Sequence, residues 1–198
     1  MEDTLPLFEA TPLQDIDLLQ RLTRYFEELD TRLRHGQGWV IFNASDARAG
    51  RIHRFLRERV SSADFPFSHF FLTWRDFALT TYLIENELRD NLNEVPDVDG
   101  DLPLGERQIA ARVSRQTLTR MASSDLLILS GLTPRFPHEV RFLEETIDRR
   151  QRGKLATILT TPEQPHELAI EMSRASTDGL DTWTRLANRL YETSLVAV

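Results

Sequence analysis

The stretch Asn43-Ala-Ser-Asp-Ala-Arg-Ala-Gly-Arg-Ile52 runs from a short apolar segment into a helix-forming one, a place where a chain can hold a phosphate. Such a loop needs glycines, so that successive backbone N–H groups converge on the phosphates. It also needs a lysine for the outer phosphates and a Ser or Thr for magnesium. Here Gly50 would close the loop, Ser45 holds the place of the first glycine, Arg51 that of the lysine and Ile52 that of the hydroxyl. Asp46 adds negative charge where a triphosphate would lie, and isoleucine cannot ligate magnesium. Ser45, Asp46, Gly50 and Arg51 are therefore candidates for a residual nucleotide site only. Lys154 is the single lysine and precedes a strand-like run instead of following one.

Hydrolysis also needs carboxylates at the end of a neighbouring strand, to hold magnesium and position water. The apolar run Leu126-Leu-Ile-Leu129 ends in Ser130-Gly131, and its nearest acid, Asp125, stands at the other end, about 15 Å away at the rise of a strand. Without cysteine there are no disulfides, thiolate nucleophiles or Cys-ligated metals. His35, His53, His69, His138 and His166 never fall at a ligating spacing. Within the acidic run from Glu94 to Pro103, a calcium loop counted from Asp97 fails, because its glycine, Gly100, comes fourth instead of sixth and its twelfth residue is Gln108 instead of Glu. Gly-x-Ser-x-Gly, His-Glu-x-x-His and Gly-x-Gly-x-x-Gly are all missing. These residues predict a protein that is not an enzyme and carries no metal or cofactor.

Arginines are the remaining polar signal. Arg107, Arg112, Arg115 and Arg120 lie on one predicted helix, Glu106–Met121, with Arg112 and Arg115 sharing a face. That face could touch nucleic acid, or be solvated or paired with the preceding acidic loop. With 24 basic and 31 acidic residues the net charge is near −7, which opposes general affinity for a phosphate backbone.

The elements that must position these residues follow from apolar periodicity. Asp15 to Arg34 carries Ile16, Leu19, Leu22, Tyr25, Phe26, Leu29 and Leu33 at helical steps, which predicts one amphipathic helix of about five turns. The wholly apolar run at 39–42 and the largely apolar ones at 69–73 and 125–129, with 154–161 and 195–198, predict five strands buried between helices. The intervening helices are placed at 50–60, 76–92 (with Phe77, Leu79, Tyr82, Leu83 and Leu88 as its apolar residues), 106–121, 137–152, 163–172 and 180–191. Alternating strands and helices predict a three-layer α/β sandwich on a mostly parallel five-stranded sheet. Residues 1–35 read as a leader and helix packed on a core domain at 36–198. Ligands of such sheets bind beyond the C-terminal strand ends. Those ends are Asn43–Gly50, Thr73–Asp76, Ser130–Arg135 and Thr160–Pro165, which makes Trp74, Arg75, Asp76 and Phe136 interface candidates.

Four segments carry a resemblance: Gly38-Trp-Val-Ile-Phe-Asn43, Ser124-Asp-Leu-Leu-Ile-Leu-Ser-Gly-Leu132, Thr146-Ile-Asp-Arg-Arg-Gln-Arg-Gly-Lys154, and Thr157-Ile-Leu-Thr-Thr-Pro-Glu-Gln-Pro-His-Glu-Leu168. In order and spacing, residues 36–198 resemble the AAA+ ATPase core of the bacterial helicase-loader and transposase-helper group, the DnaC/IstB-like proteins, and hence a P-loop-NTPase-like fold. The resemblance implies that Arg51 and Ile52 replace the family's Lys and Thr, Ser130-Gly131 its acidic pair, and Pro162 its polar sensor residue, while Thr160 and Thr161 match. It also implies that Arg189, on a late helix, matches an arginine that reaches across a subunit boundary, with Arg185 one turn earlier on the same face.

A legible scaffold with an altered centre predicts a catalytically inactive AAA+-like regulator or adaptor in DNA replication or a chromosome-associated process. Its partner would be a protein, such as an active AAA+ ATPase or a replisome component, and a homodimer stays open. The alternatives are a residual ATP/ADP-binding protein or slow helicase-loader-like ATPase, and a DNA-binding module. The acidic N-terminus and the lack of a long apolar stretch predict a cytoplasmic location and no membrane contact.

Overall fold

In the computed structural model, residues 12–92, 104–176 and 178–198 are described; the leader at 1–11 and the acidic loop at 94–103 lie outside them. Five strands, β1 (Gly38–Ile41), β2 (His69–Thr73), β3 (Leu126–Ser130), β4 (Ala156–Thr160) and β5 (Ser194–Ala197), form one sheet in the order β2-β3-β4-β1-β5. Every pairing is parallel. Central strands of this kind are apolar throughout because both faces are covered. Trp39 and Ile41 point to one side, and Val40 and Phe42 to the other.

One side is covered by α1 (Leu13–Glu27), α2 (Leu29–Arg34) and α3 (Asp46–Val60). The other is covered by α4 (Trp74–Leu92), α5 (Leu104–Ser123), α6 (Pro137–Arg152), α7 (Pro165–Ala175) and α8 (Leu180–Thr193). This is the three-layer sandwich that the alternation predicted. Gly38 is the tightest point of the sheet, since a Cβ there would lie 1.9 Å from the Thr157 carbonyl oxygen; β1 can approach β4 only with glycine at that position.

Two expectations need correction. The single helix at 15–34 is broken at Glu28 (φ −101°, ψ 18°) into α1 and α2. A straight helix of that length would run about 30 Å, well past the four residues of β1. The break turns Leu29 and Leu33 back onto the core that Leu18, Leu22 and Tyr25 already fill, and leaves Ile16 exposed. On α4 the inward row is Phe77, Thr80, Thr81 and Ile84, while Leu79 and Tyr82 are exposed. The two threonines tolerate burial because each hydroxyl donates to its own helix, Thr80 to Asp76 O and Thr81 to Ala78 O. Finally, α3 begins at Asp46, not at residue 50.

The N-terminal edge of the sheet is held by Arg150 of α6, only 1% exposed. Its Nη1 donates to Met121 O (2.5 Å) and Ser124 O (2.9 Å), its Nη2 to Ala156 O (2.5 Å), and its Nε to Thr157 Oγ1 (2.9 Å). One guanidinium thus joins the end of α5 to the start of β4. Burial lowers its pKa to about 10, opposed by the charge of Asp125, which leaves it protonated at neutral pH. Replacing Arg150 by Met strands three buried carbonyls. Urea denaturation should show a loss of about 3 to 5 kcal/mol, whereas a loss below about 1 kcal/mol would mean that water replaces the guanidinium.

Candidate functional site

Between β1 and α3 only residues 42–45 are non-helical, so the loop that would wrap a phosphate has no length in which to do so. Three of its four backbone donors are engaged within the chain. Phe42 N–H donates to Ala197 O (2.8 Å), Asn43 N–H to Glu163 O (3.1 Å) and Ala44 N–H to Thr161 O (2.8 Å). Asn43 (φ 53°) and Asp46 (φ 45°) take the left-handed conformation, which makes the tight entry into α3. Ser45 is the exposed N-cap residue, and its carbonyl accepts from Ala49 N–H (3.0 Å).

Downstream, the residues at the phosphate-motif positions take structural roles. Gly50 lies within α3 without positive φ, and a Cβ there would meet nothing within 4 Å, so neither backbone nor space demands glycine. Ile52 is 1% exposed in the α1–α3 core. Arg51 is turned toward α1, where its Nε donates to Asp15 Oδ2 (2.8 Å), a bond its Nη2 reinforces. Arg48, one turn earlier, adds a second cation at 3.3 Å from Asp15 Oδ1. Asp15 is 4% exposed, so a carboxylate of the chain itself sits on the arginines of the first turns of α3.

Across the strand ends, polar groups bond to one another. Gly131 (φ 76°) donates its N–H to Thr160 O and Thr160 Oγ1, and Leu132 N–H donates to Thr160 O. Thr161 Oγ1 donates to Leu132 O (2.8 Å), and Thr161 N–H to Ile41 O (2.9 Å). Ser130 ends β3 at 3% exposure with no acid beside it in the strand. The Thr-Thr pair thus ties the ends of β1, β3 and β4 together. Among the described residues no three His, Asp or Glu side chains group as a metal site.

The remaining candidates are scattered. Trp74 is 5% exposed and packs on Phe77 (ring centroids 4.7 Å), so it is a core residue and not a surface one; its indole completes the hydrophobic layer under β2. Asp76 accepts from Thr73 Oγ1 (2.7 Å) and helps cap α4, beside an exposed Arg75. Phe136 is 55% exposed and stacks on His138 (5.7 Å), which also faces Tyr82 (6.3 Å). Glu139 holds that turn by accepting from the N–H groups of Arg135 and Phe136.

The arginines separate in the same way. Arg112 is exposed and has no ion pair among the described residues, Arg115 pairs with Glu87 of α4, and the side chain of Arg107 lies outside the described residues. On α8, Arg185 donates to Glu144 Oε1 (2.9 Å), while Arg189 lies 3.5 Å from Glu144 and 3.3 Å from Asp148. The hydrogen bond and charge of Glu144 hold the Arg185 pKa above its ordinary value. Both arginines are engaged within the chain, by acids some 40 residues away (189 to 148 is 41). Sequence reasoning had no local signal for Asp15, Arg48 or Glu144, because each acts across the fold.

No protein-family model matches the chain, and no curated protein matches it in sequence. Solved structures do match it in fold. The DnaC helicase loader superposes with a TM-score of 0.59 at 15% identity, over 95% of this chain and 91% of the loader. AMPPCP-bound DnaA from Aquifex aeolicus gives 0.56 at 13% identity, over 94% of this chain and 47% of that one. A DNA replication initiation factor gives 0.50 at 11%, over 96% and 48%. The chain shares the overall fold of these structures, a three-layer α/β sandwich on a parallel five-stranded sheet.

Two substitutions test the site as built. Gly50→Ala should stabilise the protein by about 0.5 to 1 kcal/mol, as in any exposed helix interior, and a loss of stability on calorimetry would mean that the glycine is needed for a loop. Asp15→Ala should cost about 2 to 3 kcal/mol in the same assay, because it leaves two half-buried arginines unpaired; no loss would show that α1 is held by its apolar contacts alone.

Proposed function

We propose that this chain acts by contact and not by turnover, as a regulator or adaptor in DNA replication or a related chromosome process. The observation that carries the reading is the start of α3 at Asp46, with Arg51 bound to Asp15 and Ile52 in the core. Loss of the lysine, the magnesium hydroxyl and the carboxylates together removes every electrostatic contribution on which phosphoryl transfer depends. The fold shared with a helicase loader and with replication initiators supports the process in which it works. Protein contact is further supported by apolar side chains left exposed on α4 and α6, Leu79, Tyr82 and Phe136, with Arg75 also exposed at the start of α4. The partner on this reading is a protein, an active AAA+ ATPase or another replisome component.

Calorimetric titration with Mg-ATP and Mg-ADP should give no binding heat up to millimolar nucleotide. Micromolar binding would instead mean that Arg48 and Arg51 leave Asp15 for a phosphate, and would replace this reading by a nucleotide sensor. On native co-purification, Tyr82→Asp with Phe136→Asp should lose a partner that the unmodified chain retains. Retention by the double variant would place the contact elsewhere.

A further inference from the structure

On the α1–α3 layer, near the C-terminal end of α3, lies a groove of about 900 Å³. Four half-buried phenylalanines line it: Phe26 of α1, Phe55 of α3, and Phe65 and Phe67 from the connection between α3 and β2. They meet edge to face, Phe26 with Phe55 at 6.1 Å and Phe65 with Phe67 at 5.9 Å. Leu29 lies beneath them, buried. The volume is within the roughly 300 to 1,000 Å³ of built ligand pockets.

The groove also carries carboxylates. Glu27, Glu58 and Asp64 are exposed in its lining and form no ion pair among the described residues, while the fourth acid, Asp30, pairs with Arg34 at 2.7 Å. Elsewhere several acids are matched with arginine, as Asp15, Glu144 and Asp148 are. The lining has one cation, Arg59, whose guanidinium lies 5.1 Å from the Phe55 ring centroid. These rings therefore already accept a guanidinium on a face.

Apolar walls with unpaired negative charge fit an occupant that is apolar and positive. A phosphate or a nucleic acid would meet carboxylates, and so would the acidic leader of this chain, Met1-Glu-Asp. We propose that the groove is a docking site for a basic amphipathic segment of a partner protein. Arginine or lysine heads meet Glu58 and Asp64, and an apolar side chain enters among Phe26, Phe55, Phe65 and Phe67. This surface is independent of the nucleotide question, since Ser45–Arg51 occupy the opposite end of α3.

The test is fluorescence anisotropy of a fluorescein-labelled helical peptide of Leu and Arg, titrated with the full chain. Saturable one-to-one binding is expected. Glu58→Lys with Asp64→Lys should weaken it about tenfold or more, and so should Phe65→Ser, with folding checked by circular dichroism. Asp178→Lys with Glu192→Lys makes the same change in net charge on the other layer and should leave the affinity within about twofold. Absence of saturation overturns the proposal, as does equal weakening by the two charge-reversed pairs, which would reduce the effect to overall acidity. Sedimentation that shows a dimer of the free chain dissolved by Glu58→Lys with Asp64→Lys would assign the groove to a second copy and overturn the occupant named here.

Discussion

A single buried guanidinium sets the geometry from which the sheet is read. Among the described residues no carboxylate is hydrogen-bonded to Arg150; its charge is stabilised by the carbonyl dipoles of Met121, Ser124 and Ala156, by the Thr157 hydroxyl and by the nearby charge of Asp125. A guanidinium offers five donors in a fixed fork, so the four acceptors must come to the positions it dictates. The neighbouring strand starts are tied by Asp125, which accepts from Ser68 N–H and Ser68 Oγ, while its own N–H donates to Ser68 Oγ. Between them, Arg150 and Asp125 fix the N-terminal starts of β2, β3 and β4. Register then carries that placement along the strands to their C-terminal ends.

At those ends the polar groups satisfy one another. A ligand-binding edge keeps donors in reserve, pointing at an empty place that an anion will fill. Here the N–H groups of Phe42, Asn43, Ala44, Gly131 and Leu132 all donate to carbonyls of the chain, and Asp15 supplies the anion for Arg48 and Arg51. A fold that elsewhere gathers its chemistry at this edge has, in this chain, turned the edge into structure.

Much of this was legible in the sequence, and the failures share a cause. Apolar runs such as Leu126-Leu-Ile-Leu129 can hardly be anything but buried strands, and Ser130-Gly131 plainly lacks a metal ligand. Gly50 suggested a loop because glycine is usually read as a break, yet an exposed helix position tolerates it at a cost of about 1 kcal/mol. Thr80 and Thr81 went unread because polarity alone does not reveal a hydroxyl that bonds back to its own helix. Trp74 belongs to the core although its neighbours Arg75 and Asp76 are exposed. The roles of Asp15, Arg150 and Glu144 depend on partners that the fold supplies from distant segments. Only the topology could reveal them.

The two surfaces left for recognition lie on opposite layers of the sandwich. Tyr82 and Phe136 belong to the α4–α8 layer, and the phenylalanine groove to the α1–α3 layer, with the sheet between them. Stacked layers are about 10 Å apart, so occupants of the two faces need not compete for space. Their chemistry differs as well, since one face offers Tyr82, Phe136 and an exposed Arg75 and the other offers exposed acids around aromatic walls. The proposed adaptor role therefore asks for no chemical step between the two layers: each face offers its own recognition chemistry, and the strand ends between them are tied by Thr160, Thr161 and Gly131 of the chain itself.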